Sequence, residues 1–150
     1  MRRLGAAATL AGLVVFGACG GGHGKASLSS GYVKRANALC DQWTKALMEL
    51  GTSPPLGDTG RMATFTKQQV AIDQGFTDRF TSLPATDSER KTLAPVFASF
   101  NTINGGEASV LDSAQRGDRA GIQTYHQTVV DETDRVNVKL KALHLTSCAG

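Results

Sequence analysis

The chain has few of the ligands and loops on which enzyme chemistry is usually built. Its three histidines are His23, His126 and His144, and no two share a helix face at i, i+4. Cys-x-x-Cys-His, the attachment motif of c-type haem, does not occur, and neither does the Glu-x-x-His of carboxylate di-iron bundles. There is no glycine-rich phosphate loop, no hydrolase elbow and no nucleophile–base pair. These absences argue against an enzyme and against a resident cofactor. Excess basic charge is lacking as well. Of 16 Lys and Arg, Arg2 and Arg3 fall in a segment expected to be cleaved, leaving 14 against 13 acidic residues. Without a basic stripe, nucleic acid is not an expected partner. No stretch alternates with period two for long enough to form a strand.

What is present suits one globular domain. The chain has 150 residues, of which 41% are hydrophobic and 19% charged, outside the disordered range. Met1-Arg2-Arg3 is a basic n-region. Leu4 to Ala18 is apolar or small except for Thr9, too short to span a membrane and suited to the core of a secretory signal. Residues 1–18 are therefore expected to be a signal peptide.

Phe16-Gly17-Ala18-Cys19 resembles the lipobox of bacterial lipoproteins. It fits at Ala18 and Cys19 and departs from the pattern at Phe16, where Leu is usual. The resemblance implies a diacylglyceryl thioether on Cys19, with a further acyl chain such as palmitate on its amine. Each buried methylene contributes ~0.8 kcal/mol, so two or more chains hold a protein where one does not. The expected location is extracytoplasmic, on the cell membrane. Gly20 to Ser30, GGGHGKASLSS, reads as a tether, so residues 19–30 are assigned to the lipidated cysteine and a flexible linker. His23 stands alone there as a solvated residue.

Residues 31–150 read as four helices. Ser29 and Ser30 can cap the first, whose inward series is Tyr32, Ala36, Leu39, Trp43, Leu47 and Leu50, with Gly51 as its stop. Asp58 or Thr59 caps the second, with Met62, Phe65, Gln69, Ile72, Phe76, Phe80 and Leu83 inward and Pro84 after it. Gly75 costs that helix up to ~1 kcal/mol against Ala and is expected to admit a close neighbour. Thr86 to Glu89 has capping-box spacing and opens a third helix with Leu93, Phe97, Phe100, Ile103, Val110, Leu111 and Ala114 inward. Pro95 implies a kink if this helix starts at Asp87 and is tolerated in the first turn if it starts at Thr92; Asn104-Gly105-Gly106 is a second weak point, and whether the helix is continuous through the two stays open. Asp118 caps the fourth, with Ile122, Tyr125, Val129, Val136, Leu140 and Leu143 inward and Thr133 filling the gap. Four amphipathic stretches with short links predict an all-α, up-down-up-down four-helix bundle.

With Cys19 taken by lipid, Cys40 and Cys148 remain as a pair in an oxidising compartment, predicted as a disulfide, with two free buried thiols as the alternative. Helix four should run past the level of Cys40, so residues 144–148 are expected to turn back in extended form.

Tyr32-Val33, Ala36-Asn37-Ala38-Leu39-Cys40 and the late Leu143, Leu145 and Cys148 resemble a pattern in small secreted lipoproteins of high-GC Gram-positive bacteria. Those proteins carry a lipobox, an alanine-asparagine-x-x-cysteine first helix, a glycine-aspartate before the last helix and a cysteine near the end. The resemblance spans the mature chain and implies fold and location but no activity.

Candidate pocket residues are Asn37, Trp43, Gln69, Phe97, Phe100, Tyr125 and His126, the polar and aromatic groups nearest the predicted core. Asp131–Arg135 is an expected i, i+4 surface pair. The residues point to a non-enzymatic binding or interaction module, with an envelope protein or lipid as partner. A carrier or sensor of an apolar ligand or lipid is the first alternative. A metal- or haem-binding bundle is the second, with Met48 or Met62 beside His126 as the only haem-like pairing.

Overall fold

The computed structural model describes residues 27–149. The segment expected to be a signal peptide, Cys19 and His23 lie outside the described residues. Four helices follow one another: α1 (Ser30–Leu50), α2 (Thr59–Thr81), α3 (Asp87–Gln115) and α4 (Arg119–Ala142). A short 3-10 helix, Thr146–Cys148, closes the chain. No strand occurs among the described residues, and none of their helices is long and apolar enough to cross a membrane.

Neighbouring helices run antiparallel. Arg35, early in α1, donates to the carbonyl of Pro84 beyond the end of α2, while Trp43 reaches Asp73. Asn104 of α3 meets Thr77 of α2, and Lys139 near the end of α4 meets Ser99 of α3. The chain is thus an up-down-up-down bundle. Helix α1 makes its main contacts with α2 and with the 3-10 helix.

The helix starts follow the capping chemistry of the sequence. The hydroxyl of Ser29 accepts from the N–H of Tyr32, and the carboxylates of Asp58 and Asp118 accept from the N–H groups of Arg61 and Gly121. The capping box at Thr86 and Glu89 is complete. Glu89 has a second duty that crosses the bundle. Its Oε1 accepts from the backbone N–H of Ser29 at 3.0 Å and from the Ser29 hydroxyl at 2.6 Å, while Oε2 accepts from the N–H of Thr86 at 2.8 Å. One carboxylate therefore joins the starts of α1 and α3. These bonds, that of the Ser29 side chain foremost, hold the Glu89 carboxyl down at about 2.

Two apolar clusters form the core. The larger gathers Tyr32, Ala36, Leu39 and Cys40 of α1 with Phe76 and Phe80, Leu93, Val96 and Phe100, Val136 and Leu140, then Leu145 and Cys148. Its aromatic rings meet edge-on around Phe80, and Trp43 stacks on Phe76 with centroids 4.8 Å apart. The smaller cluster is Met62, Val110, Ala114 and Ile122, at the end of the bundle where α2 and α4 begin and α3 ends.

Helix α3 runs through both weak points and is continuous over 29 residues. Pro95 is exposed, as is Lys91, the residue four back whose carbonyl a proline cannot serve. The cost therefore falls on the solvent side, and Leu93, Val96 and Phe100 bury the opposite face across the site. The two glycines also differ. A Cβ at Gly105 would meet open space, whereas one at Gly106 would come 2.7 Å from Val129 Cγ2 of α4. Gly106 lets α4 approach. We expect Gly105→Ala to raise stability by up to ~1 kcal/mol through helix propensity. Gly106→Ala should lower it by about 1 kcal/mol, since overpacking outweighs that gain against a stiff valine. Thermal melts of the two variants test the opposite signs. Gly75 is likewise exposed with nothing near a Cβ position, so the close neighbour expected there does not exist.

The end of the chain folds differently from expectation. Instead of an extended return, α4 ends in a Schellman turn. The N–H of Leu145 donates to the carbonyl of Leu140 at 2.9 Å and that of His144 to Lys141 at 3.1 Å, with His144 at a φ of 60°. Leu145 drops into the core beside Leu140. This turn brings Cys148 back to Cys40, with the sulfurs at disulfide distance and the Cα atoms 4.9 Å apart. Asn37, one turn before Cys40, secures the same segment. Its amide donates to the His144 carbonyl at 3.2 Å, and its oxygen accepts from the Ser147 N–H at 3.1 Å.

On α4 the acidic run divides. Glu132 turns toward α3 beside Lys139 and pairs with Arg135, while Asp131 accepts from Gln127, so the expected Asp131–Arg135 pair is not made.

Candidate functional site

Between the two apolar clusters lies a polar layer. Gln69 and Asp73 stand one turn apart on α2 and share a face. Glu107 faces them from α3 and Trp43 from α1. The Trp43 indole N–H donates to Asp73 Oδ1 at 2.5 Å, and the Gln69 amide donates to Glu107 Oε1 at 2.8 Å. Asp73 and Glu107 are 5% and 4% exposed, so both carboxyl groups are effectively inside the protein. Among the described residues no Lys or Arg is paired with either one.

Two buried carboxyl groups side by side do not both ionise at neutral pH. Burial pushes the Glu107 carboxyl up to about 9, and the adjacent Asp73 charge adds to the effect. Burial raises Asp73 too, opposed by hydrogen bonds from Trp43, Glu107 and Gln69. Glu107 therefore keeps its proton and donates it to Asp73, and the pair carries a single negative charge. Glu107 Oε2 is buried and receives no hydrogen bond.

Two cavities meet at this layer. The inner one, about 200 Å³, is walled by Trp43, Asp73, Phe76, Phe100, Glu107 and Val136, among others. The outer one, about 340 Å³, runs past Leu47, Met62, Phe65, His126 and Val129 toward Gly51 at the end of α1. Leu47, Gln69, Glu107 and Val129 border both. Together they reach the size of small-molecule sites, roughly 300–1,000 Å³. Their walls are mainly aliphatic and aromatic, with the carboxyl pair as the polar floor.

The candidate residues from the sequence separate here. Trp43 and Phe100 wall the inner cavity, His126 the outer one and Gln69 both. Phe97 packs against Phe80, centroids 6.2 Å apart, and reaches neither cavity. Tyr125 is 41% exposed, pointing away from the core stripe of α4. Asn37 faces the C-terminal turn and has its amide engaged there. Met62 shares the outer cavity with His126, while Met48 points to solvent. Among the described residues no three His, Cys, Asp or Glu side chains gather as a metal site would require.

Asp73 and Glu107 are the functional candidates that sequence reasoning missed. The signal for Glu107 is positional. Leu93, Val96, Phe100, Ile103, Glu107, Val110 and Ala114 follow a strict three-four spacing, and Glu107 occupies the gap that an apolar reading leaves between Ile103 and Val110. On α2 the buried face runs through Met62, Thr66, Asp73, Phe76 and Phe80, one position off the Phe65, Gln69, Ile72 series of the sequence, so Asp73 leaves no such gap.

No protein-family model, curated protein or solved structure matches the chain.

Proposed function

We propose that the chain is a membrane-anchored, extracytoplasmic lipoprotein whose helical body is a non-enzymatic binding module for a small, largely apolar ligand. The observation that carries the binding role is the pair of adjoining cavities between the two apolar clusters, walled by Trp43, Phe76, Phe100, Leu47 and Val129. Both are half-open clefts whose mainly apolar walls leave hydrophobic side chains facing space that an apolar ligand would fill. Anchoring is supported by the lipobox-like Phe16-Gly17-Ala18-Cys19 and the glycine-rich tether after it. The cavities favour a carrier or sensor over a module that only docks on another protein's surface.

Two measurements test the parts separately. Wild-type protein should partition with membranes and require detergent, whereas Cys19→Ser should appear in the aqueous fraction. Equal retention of both overturns the anchor. Native mass spectrometry of protein gently purified from its envelope should show a bound species of small-molecule mass. Protein that carries none and whose Trp43 emission stays unmoved across a panel of apolar compounds overturns the binding role.

A further inference from the structure

We propose that the ligand is an organic monocation, a protonated primary or secondary amine on an apolar body, whose ammonium group rests on the Asp73–Glu107 pair. The inference deepens the binding role given above and rests on it. Three observations carry it. The cavities are lined by aromatic and aliphatic groups yet share one carboxyl, Glu107, which is 4% exposed and has an oxygen that receives no hydrogen bond. Asp73 lies beside it on the inner cavity wall, and among the described residues no Lys or Arg forms an ion pair with either group. Trp43 and Phe76 present stacked rings next to the carboxyl groups, and an aromatic face attracts a nearby cation.

The donor set selects among ligand classes. An anion meets two carboxyl groups and is repelled. A divalent metal wants six or more oxygens, or several waters, and here two of the four polar neighbours are an indole N–H and an amide N–H aimed at the carboxyl oxygens. An ammonium group brings two or three N–H donors, which match the lone pairs that Trp43 and Gln69 leave free. His126 of α4 is the one further titratable side chain on either wall; it lines the outer cavity, beyond the carboxyl pair.

The test uses the mature chain with its lone tryptophan, Trp43, as reporter. Phenethylamine, 4-phenylbutylamine and cyclohexylmethylamine are titrated against their neutral alcohol counterparts. At least one amine should shift Trp43 emission saturably and bind about ten- to a hundredfold tighter than its alcohol, the range of a charge-assisted hydrogen bond. Asp73→Asn, which keeps shape but removes the single charge of the pair, should abolish that preference, whereas Glu107→Gln, which replaces a carboxyl that is already neutral, should retain it, with helicity checked by circular dichroism. Alcohols that bind as tightly as the amines would overturn the cation inference and leave the apolar cavity in place. Failure of every amine and every alcohol would overturn both. An unchanged amine preference in a folded Asp73→Asn protein would move the site elsewhere and sink the assignment.

Discussion

Reduction, or Cys148→Ala, should destabilise the domain by about 4 kcal/mol and lower its melting temperature by roughly 10–20 °C. The two cysteines are 108 residues apart, so the bond closes nearly the whole domain into a loop. Loops of ~100 residues contribute about 4.7 kcal/mol in the chain-entropy account, and measured values run lower. The expected loss is large because α1 depends on the tail for packing: its neighbours are α2 on one side and the returning 3-10 helix on the other. Asn37 keeps part of that contact through its two bonds to the tail. The doubly altered Cys148→Ala, Asn37→Ala chain should therefore lose more than the sum of the single losses, since each device holds the same segment for the other. Calorimetry with and without reductant checks the first figure. A change below about 1 kcal/mol would show that the tail is held without the sulfur link.

Glu107→Gln should make the protein more stable at pH 8 and nearly level in stability from pH 5 to 8, where the wild type declines. The sign follows from burial. Glu107 keeps its proton in the folded state up to about 9, while in the unfolded chain it releases it near 4.5. The folded state thus binds more protons across that interval, and stability falls as pH rises through it, by at most ~1.4 kcal/mol per pH unit. The contribution is complete below 4.5 and gone above 9. Glutamine has the shape of the protonated acid and its amide can still donate to Asp73, so it keeps the bond and loses the titration. The expected gain at pH 8 is on the order of 2–4 kcal/mol. Glu89 works in the opposite sense. Its carboxyl is held down at about 2, so what it adds is present above 4.5 and lost as pH falls toward 2. The wild-type optimum should accordingly lie near pH 5. Denaturant midpoints measured from pH 3 to 9 for both proteins test the pattern, and parallel curves would remove Glu107 from the account.

Sequence and structure agree best where chemistry is local. Caps at Ser29, Asp58, Thr86 and Asp118 are read from side-chain type and spacing, because each satisfies backbone groups within one turn. Four helices and the Cys40–Cys148 pair follow from periodicity and counting. What was hidden depends on partners distant in sequence. Pro95 and Gly105-Gly106 look like breaks by propensity, yet α2 and α4 pack along the full length of α3 and override it. Asp73 and Glu107 occupy core positions of their helices, and a search for apolar periodicity skips such positions. Only the fold shows that they face each other. Tyr125 was placed inward because it is aromatic, but the buried stripe of α4 is Ile122, Val136 and Leu140, and Tyr125 falls outside it. Asn37 was matched to a pocket because it is polar near the core, whereas its partner is backbone more than a hundred residues later.

The join made by Glu89 has a directional consequence. The chain enters the bundle at Ser29, fixed to the start of α3, while the outer cavity opens beside Leu47 and Gly51 at the other end of α1. At ~1.5 Å per residue these points are about 30 Å apart along the helix. A molecule moored through its leading residues would stand on one end and hold its mouth outward, so that whatever it captures arrives from the surroundings and not from the surface beneath.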